Sequence, residues 1–383
     1  MKSNSLILVI PMLLSASVNA VEIYDDTKNS VAVGGRIDMT VGKEKQGDTE
    51  INSGSSRINF AFNRNMGNYD FEGLMEWQVN LLSSNDSRGD VLKNRLGYVG
   101  LNGDRSGWGT IRAGKQWGAV YDVTSATDVI FISDHDAGGI YQFSDGGATG
   151  TGRLDKGLTY QNQWSGFKLG LQYGLKDSFK ESRGLSAPGQ NDTSVQRDSA
   201  IGGSASYEWD NGLKVGAALT KTKMQLDSGS QAFGKTGDFD ISSATLMTQY
   251  KKHGLHVAAT YVQGSNYHMN GFAGGANHAD KTQQVLSEKS HAVDAYLAYK
   301  LDNNIEPFVY LSTVKMSDNE GKTDSIASID GRRNMAAAGI KYYLSEDALV
   351  GIEYRNIKHQ ENQRNVGVLK NDEAFNARLR YMF

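Results

Sequence analysis

Apolar and polar residues alternate with a period of two along most of the chain. In residues 31–41, for example, valine, isoleucine and methionine alternate with alanine, glycine, arginine, aspartate and threonine. This period is typical of a β-strand whose two faces meet different surroundings. Sixteen segments share the pattern, and most have the length of a tilted membrane-spanning strand. They are 30–41, 55–65, 69–82, 94–103, 107–116, 152–163, 166–176, 198–208, 211–222, 240–251, 254–265, 287–300, 303–315, 333–343, 346–359 and 372–383.

The connections between these segments are alternately long and short. The short ones are rich in Asn, Asp, Gly and Ser, which suit hairpin turns. A barrel that crosses a membrane up and down has long loops on one side and short turns on the other. We therefore predict an all-β fold, a 16-stranded antiparallel transmembrane β-barrel with short periplasmic turns and long extracellular loops. The long loops are 42–54, 83–93, 117–151, 177–197, 223–239, 266–286, 316–332 and 360–371.

The first twenty residues differ from the rest of the chain. Lys2 supplies a positive start, Leu6–Leu14 is a short apolar core, and Val18–Ala20 ends in small residues. This is the pattern of a secretory signal peptide. We therefore predict that residues 1–20 are removed and that 21–383 form one barrel domain. No later stretch has eighteen consecutive apolar residues, so the sequence predicts no transmembrane helix.

Composition excludes several other classes of function. The chain has no cysteine, so disulfide frameworks, thiolate metal sites and cysteine nucleophiles are excluded. Its formal charge of −3 gives no global basic field, and we expect no nucleic-acid partner. The seven histidines are scattered without a ligand spacing, so we expect neither a metal nor a cofactor.

Several segments resemble the general trimeric porins of the Gram-negative outer membrane. The resemblance covers the mature chain in patches and implies an outer-membrane channel for passive diffusion of ions and small hydrophilic solutes. It also implies a homotrimer, contact with outer-membrane lipid and lipopolysaccharide, and Phe383 as the signal for membrane insertion. The segments that carry it are Val21–Tyr24, Gly35-Arg36, Ser56–Phe60, Asn94–Gly100, Ala113–Gly118 and Tyr381–Phe383.

The third long loop, 117–151, is expected to fold inward and narrow the channel. A sixteen-stranded barrel is too wide for its own side chains to fill, and this is the longest loop. It carries carboxylates and neither Lys nor Arg. Its 134–139 segment keeps a Gly pair but departs from the Pro-Glu-Phe-Gly-Gly stretch of the family. The acidic side of the constriction is predicted to include Asp122, Asp128, Asp134 and Asp136.

A basic wall is expected opposite this loop. Alternation points Arg36, Arg57 and Arg153 inward, on the expectation that their neighbours Ile37, Ile58 and Leu154 face lipid. The resemblance adds Lys115 to this wall, whereas strict alternation favours Arg112. A β-bulge near the end of that strand would reconcile the two, so both residues remain candidates.

Three other functions would each require a particular feature of the sequence. A channel specific for oligosaccharides would need an aromatic surface in the lumen, and the third loop offers Tyr121, Phe131, Tyr141 and Phe143. An enzyme barrel would need a nucleophile–base constellation, and the sequence shows none with supporting context. A secreted adhesin or sandwich would not explain loops that alternate in length.

Overall fold

The computed structural model describes residues 20–44, 47–82, 91–133, 137–181, 193–226, 233, 235, 237–269, 285–317, 328–364 and 371–383. Within these ranges the chain is almost entirely β-strand, joined into one antiparallel sheet. Two short helices, α1 (Tyr121–Thr124) and α2 (Gln142–Asp145), lie in the third long loop. A 3-10 turn, Asp104–Ser106, lies in one of the short connections.

Nineteen strands are present in the described part of the chain. They are β1 (Val21–Asp25), β2 (Asn29–Glu44), β3 (Thr49–Asn52), β4 (Arg57–Asn65), β5 (Asp70–Val79), β6 (Leu92–Gly103), β7 (Gly109–Trp117), β8 (Arg153–Trp164), β9 (Phe167–Gly174), β10 (Asp177–Glu181), β11 (Thr193–Glu208), β12 (Leu213–Leu226), β13 (Phe239–Lys252), β14 (Leu255–Ser265), β15 (Lys289–Tyr299), β16 (Ile305–Ser317), β17 (Ser328–Tyr343), β18 (Ala348–Arg364) and β19 (Asp372–Met382).

Sixteen of these strands form a closed barrel, as the sequence predicts. Each pairs antiparallel with its neighbours, and β19 pairs with β2 to close the ring. Closure leaves no open sheet edge, which a membrane-spanning sheet cannot tolerate. The other three strands, β1, β3 and β10, were not predicted. They pair with the ends of barrel strands and are only four or five residues long.

The two ends of the described chain meet in one seam of the barrel. Met382 pairs with Arg36 of β2, and further along the same strand Val21 pairs with Val33. The Phe383 backbone exchanges hydrogen bonds with Gly35, 3.1 Å and 2.7 Å long. Beyond the end of β19, β1 therefore takes its place as the neighbour of β2. The first and last described residues both lie on the side of the short turns.

The two faces of the wall differ as a membrane barrel requires. Leu219 of β12 is 66% exposed on the outer face, and Ile201 of β11 is 61% exposed. The neighbouring inward residues Ala218 and Thr220 are buried. An outer band of exposed apolar side chains is stable only against lipid.

The short turns follow the predicted chemistry. Lys252 and Leu255 are paired across a two-residue turn in which His253 has a φ of 52° and Gly254 a φ of 77°. Positive φ at both positions is the turn geometry that matches strand twist, and glycine adopts it without a steric penalty. Within the described ranges no helix is both long and apolar enough to cross a bilayer. The predicted signal peptide, 1–20, falls almost wholly outside the described residues and stays a prediction.

Candidate functional site: a constriction inside the barrel

The third long loop lies inside the barrel and is seated on an apolar part of the inner wall. Val123 of α1 is fully buried in a cluster that includes the inward residues Ala218 of β12 and Met247 of β13. Thr127 lies 3.1 Å, hydroxyl to hydroxyl, from Thr260 of β14. Since water is excluded from these contacts, the loop is fixed to the wall as part of a packed core.

The loop then reaches the last strands of the barrel, where a carboxylate and an aromatic ring hold it. Glu353 of β18 accepts hydrogen bonds from the backbone N–H groups of Ile132 and Ser133, at 3.0 and 2.9 Å. The buried ring of Phe131 is surrounded by cations. Arg378 and Arg380 have their guanidinium carbons 5.4 Å from its centroid, which is within cation–π range. Arg378 also donates to the Phe131 carbonyl oxygen.

The returning part of the loop is tied to β15 and to the connection after β14. Asp294 accepts from the backbone N–H groups of Ala137 and Gly138, at 3.2 and 3.1 Å. The Tyr267 hydroxyl donates to the Gly138 carbonyl at 2.7 Å. His268 lies 2.9 Å from the Ala137 carbonyl oxygen. Backbone groups of the loop are therefore hydrogen-bonded to the barrel wall on both sides of residues 134–136.

A second apolar cluster fills the extracellular half of the lumen on the same side. Inward side chains of β11 to β16, such as Ile241 and Met316, pack with Phe143 of the loop and with Phe233 and Tyr267 from later loops. This packing occupies the lumen beside β11–β16. The open passage therefore lies between the third loop and the wall formed by β2–β8 and β19. The loop touches this wall at its two edges, where Arg153 of β8 pairs with Asp145 and Arg378 of β19 donates to Phe131.

Six arginines lie on that opposite wall, and we call them the arginine row. Each arginine repels its neighbours in the row electrostatically. Arg36 of β2 and Arg57 of β4 lie directly opposite each other in the strand register. Each side chain keeps between 6% and 22% of its surface exposed. The row consists of Arg36, Arg57, Arg95, Arg153, Arg378 and Arg380.

Two buried carboxylates hold most of the arginine row. Asp38 lies 2.8 Å from Arg380, 3.1 Å from Arg378 and 3.7 Å from Arg36. Glu76 lies 2.8 Å from Arg95 and 3.4 Å from Arg57. Five positive charges thus share two negative ones. The row is kept compact and retains an excess of positive charge.

The predicted basic wall is brought together in part. Arg36, Arg57 and Arg153 all lie in the arginine row. Arg112 does not, because it binds Glu72 and, at 3.1 Å, the side-chain oxygen of Gln161. Lys115 is paired with Asp155 at 2.7 Å, also outside the row. The bulge that would reconcile these two candidates is present, since the β7–β8 register shifts between Gly114 and Gln116.

One expectation behind the alternation argument is wrong. Leu154 was expected to face lipid, but it is fully buried against the glycines of the loop and of β9, including Gly150 and Gly174. Near the bulge Lys156 has a φ of 47°, so the period of two is interrupted at this end of β8. Arg153 still lies inside because its guanidinium stacks on Trp117, 5.4 Å from the ring centroid.

The predicted loop carboxylates occupy different places. Asp122 binds Lys168 of β9 at 2.8 Å and accepts from Gln161, so it meets Arg112 only through that glutamine. Asp128 accepts from the hydroxyls of Tyr121 and Tyr141, at 2.7 and 2.8 Å. The other two, at positions 134 and 136, lie outside the described residues.

Tyr121 links Asp128 to the arginine row. Its ring stacks on Trp117 at 3.9 Å between centroids, and Trp117 in turn carries Arg153. Burial raises the pKa of the Tyr121 phenol well above its ordinary value, and the carboxylate of Asp128 adds to the effect. The hydroxyl therefore stays protonated and acts as a donor to Asp128.

The predicted constriction residues leave out four members of this site. Arg95 lies at a β-bulge, since the β5–β6 register shifts between Glu76 and Trp77, and a bulge hides a residue from alternation. Arg378 and Arg380 have the inward phase on β19 and could have been found from it. Asp145 forms a direct 2.7 Å ion pair with Arg153.

The aromatic side chains of the loop do not form an exposed surface for sugars. Phe131 and Phe143 are each only 4% exposed. The hydroxyls of Tyr121 and Tyr141 both point at Asp128. In the described part of the loop, these four rings hold the loop together.

The barrel has sixteen strands, an apolar outer band suited to lipid, and a charged lumen narrowed by the third loop. These features define a membrane channel. The model of the Gram-negative porin family matches residues 6–381. Outer membrane protein F of Serratia marcescens is 25% identical over the full length of both chains. Outer membrane porin F of Escherichia coli K12 is 27% identical, with 97% of each chain covered.

Solved structures show the same fold. An OmpF of Salmonella typhi in complex with daunomycin has a TM-score of 0.71 at 20% identity, with 95% of this chain and 100% of that chain covered. An anion-selective porin from Comamonas acidovorans has a TM-score of 0.67 at 15% identity, with 93% and 100% covered. The chain belongs to the Gram-negative porin family, and it is a porin of the outer membrane.

Proposed function

We propose that this porin is a passive diffusion pore whose narrowest part lies between the arginine row and the third loop, and that it is not an enzyme. The observation that carries the proposal is the position of the loop. It is fixed to the inner wall from β9 to β19, where Arg378 and Arg380 contact it, and this leaves the passage against the other arginines of the row. Ions and small hydrophilic solutes would cross by diffusion through this charged gap.

Charge in the gap would set selectivity without tight binding. Side chains of one sign lining a constriction tune which ions enter, and weak interaction lets them leave. In the described part of the loop, Asp145 is the carboxylate that pairs directly with the arginine row. Asp128 is separated from Arg153 by the stacked rings of Tyr121 and Trp117. Asp134 and Asp136 remain proposed members on sequence grounds. The reach of each charge is limited to a Debye length of about 8 Å at physiological salt.

Replacing Arg57 by Ser should shift selectivity toward cations. The substitution removes one positive charge from the row and releases Glu76 to Arg95 alone. The measurement is the reversal potential of single channels in a planar bilayer under a salt gradient. Arg105→Ser is the matched control, because Arg105 lies at a periplasmic turn and pairs with Asp70 there. A shift toward anions in R57S would contradict the assignment.

The same recordings test the proposed homotrimer. A trimer of open pores should give large, persistently open, ohmic steps that close in thirds. The proposed contact of loop 83–93 with a neighbouring subunit rests on the family resemblance, and 83–90 lie outside the described residues. Single steps without a threefold subdivision would argue for independent pores. Low conductance blocked by a dilute sugar would favour a substrate-specific channel.

The role of Phe383 in membrane insertion stays a prediction. Its ring stacks with Tyr381 at 6.4 Å between centroids, on the outward side of the seam.

A further inference from the structure

Four consecutive backbone carbonyl groups of the third loop, in the turn 147–150, are hydrogen-bonded to side chains of the inner wall. The turn lies outside every helix and strand, so its backbone needs partners from elsewhere in the fold. Three adjacent strands supply them through Gln172 of β9, Arg197 of β11 and Thr220 of β12. The distances are 2.8 Å from Arg197 to Gly147, 3.1 Å from Arg197 to Ala148, 3.1 Å from Thr220 to Thr149 and 3.2 Å from Gln172 to Gly150.

Arg197 is the central donor of this attachment, and its side chain is fully buried. Besides the two loop carbonyls, its guanidinium donates to the carbonyls of Leu175 and Asp155, at 2.8 and 2.6 Å. Its guanidinium carbon lies 5.5 Å from the centroid of the Phe179 ring. A buried cation is tolerated only where hydrogen bonds replace its water, so these bonds fix the side chain in place. Because Arg197 has no exposed surface, it cannot contact a solute in the passage.

The 147–150 turn is continuous with the loop carboxylate that reaches the arginine row. Asp145, two residues before the turn, forms the 2.7 Å ion pair with Arg153. Asp145 and Gly146 both have positive φ, 61° and 76°, and the Gly150 N–H donates to the Gly146 carbonyl at 2.7 Å. The chain therefore reverses within a few residues in a restricted conformation. The position of the Asp145 carboxylate thus depends on where the turn is held.

We propose that Arg197 is a positioning residue for the selectivity of the channel. By holding the 147–150 turn against the wall, it keeps the Asp145 carboxylate on Arg153 and so lowers the net positive charge of the gap. The inference rests on the proposed function, because it takes the gap beside the arginine row as the selective part of the passage. It adds a residue that sets selectivity without facing the passage itself.

The direction of the effect separates positioning from direct electrostatics. Loss of the Arg197 charge would by itself favour cations, since one positive charge leaves the inner wall. Loss of its hydrogen bonds would release Asp145 from Arg153, leave that guanidinium without its carboxylate, and favour anions. The two roles therefore predict shifts of opposite sign.

Reversal potentials of single channels in a planar bilayer under a salt gradient test the proposal. Asp145→Asn and Arg197→Gln should both shift selectivity toward anions. R197Q should reach at least about half of the D145N shift, because a buried donor to several carbonyls is lost. In the double variant R197Q/D145N the shift should be no larger than in D145N alone, since both changes act through one carboxylate.

A neutral substitution makes the same test without a change of charge. Thr220→Val removes the hydroxyl that donates to Thr149, and it should give a smaller shift toward anions that is again lost in the D145N background. Thr222→Val is the matched control. Thr222 is buried on the same face of β12, and its hydroxyl has no hydrogen-bond partner in the described part of the chain. T222V should keep the parent reversal potential.

Heat-modifiable migration on a gel shows which variants are folded, and T220V alone decides if R197Q does not fold. A shift of R197Q toward cations, or a T220V channel with the selectivity of T222V, would overturn the proposal. A D145N shift that neither variant reproduces would also overturn it and would leave the proposed pore in place. If D145N itself kept the parent reversal potential, Asp145 would not line the conducting path, and the proposed gap would fail together with this inference.

Discussion

Replacing Asp38 by Asn is expected to shift the channel strongly toward anions and to destabilise the barrel. Asp38 is fully buried and binds three members of the arginine row, Arg36, Arg378 and Arg380. The amide would leave three guanidinium groups facing one another with no carboxylate between them. Removing one partner of a buried ion pair typically costs about 3–5 kcal/mol. The reversal potential in a salt gradient measures the first effect, and the temperature at which the folded gel band is lost measures the second.

A matched control separates a local effect from a general loss of negative charge. Asp70→Asn removes the same charge near a periplasmic turn, where its partner Arg105 is half exposed. That variant should leave selectivity and the melting temperature nearly unchanged. If D38N kept the parent reversal potential, the Asp38 cluster would not line the conducting path. If only its stability were unchanged, Asp38 would be better hydrated than its burial indicates.

Most of the barrel could be predicted because a membrane imposes a strict period of two on each strand. The sixteen barrel strands are those in which an apolar outer face alternates with an inner face that is mostly small or polar, although β11–β16 also carry inward apolar residues such as Ile241 and Met316. β3 is exposed along its whole length, so nothing in its sequence distinguishes it from loop. In β10 Phe179 is buried, but five residues are too few to show a period of two. The pattern also fails at bulges. Arg95 and Leu154 lie beside register shifts. Arg95 is therefore absent from the predicted basic wall, and Leu154 is wrongly predicted to face lipid.

The seat of the third loop could not be predicted, because it depends on contacts between residues far apart in the sequence. Glu353 and Asp294 have an inward phase that any lumen carboxylate would share. Their function as acceptors for the loop backbone is evident only once the loop is in place. The sequence makes Phe131 a candidate for a sugar-binding surface. In the structure, the inward cations Lys341, Arg378 and Arg380 lie over its ring.

Replacing Glu353 by Gln should loosen the far end of the third loop. The carboxylate of Glu353 accepts one N–H group with each oxygen, from Ser133 and Ile132. A glutamine amide presents one acceptor and one donor, so one of the two N–H groups would face an NH₂ group. A buried donor left unpaired costs about 2 kcal/mol. The detached state of this segment should then be populated about 30-fold more often.

The expected signature is a rise in open-channel current noise, with a higher mean conductance when the loop leaves the passage. Glu306→Gln is the matched control, because Glu306 is also a wall carboxylate but binds Lys341 and Tyr343 of β17 instead of the loop. Both variants remove one negative charge from the inner wall, so a difference between them reports loop attachment and not charge. Equal noise in E353Q and E306Q would show that Phe131 and the apolar seat hold the loop by themselves. In that case the cations around Phe131, and not the carboxylate, would set the width of the passage.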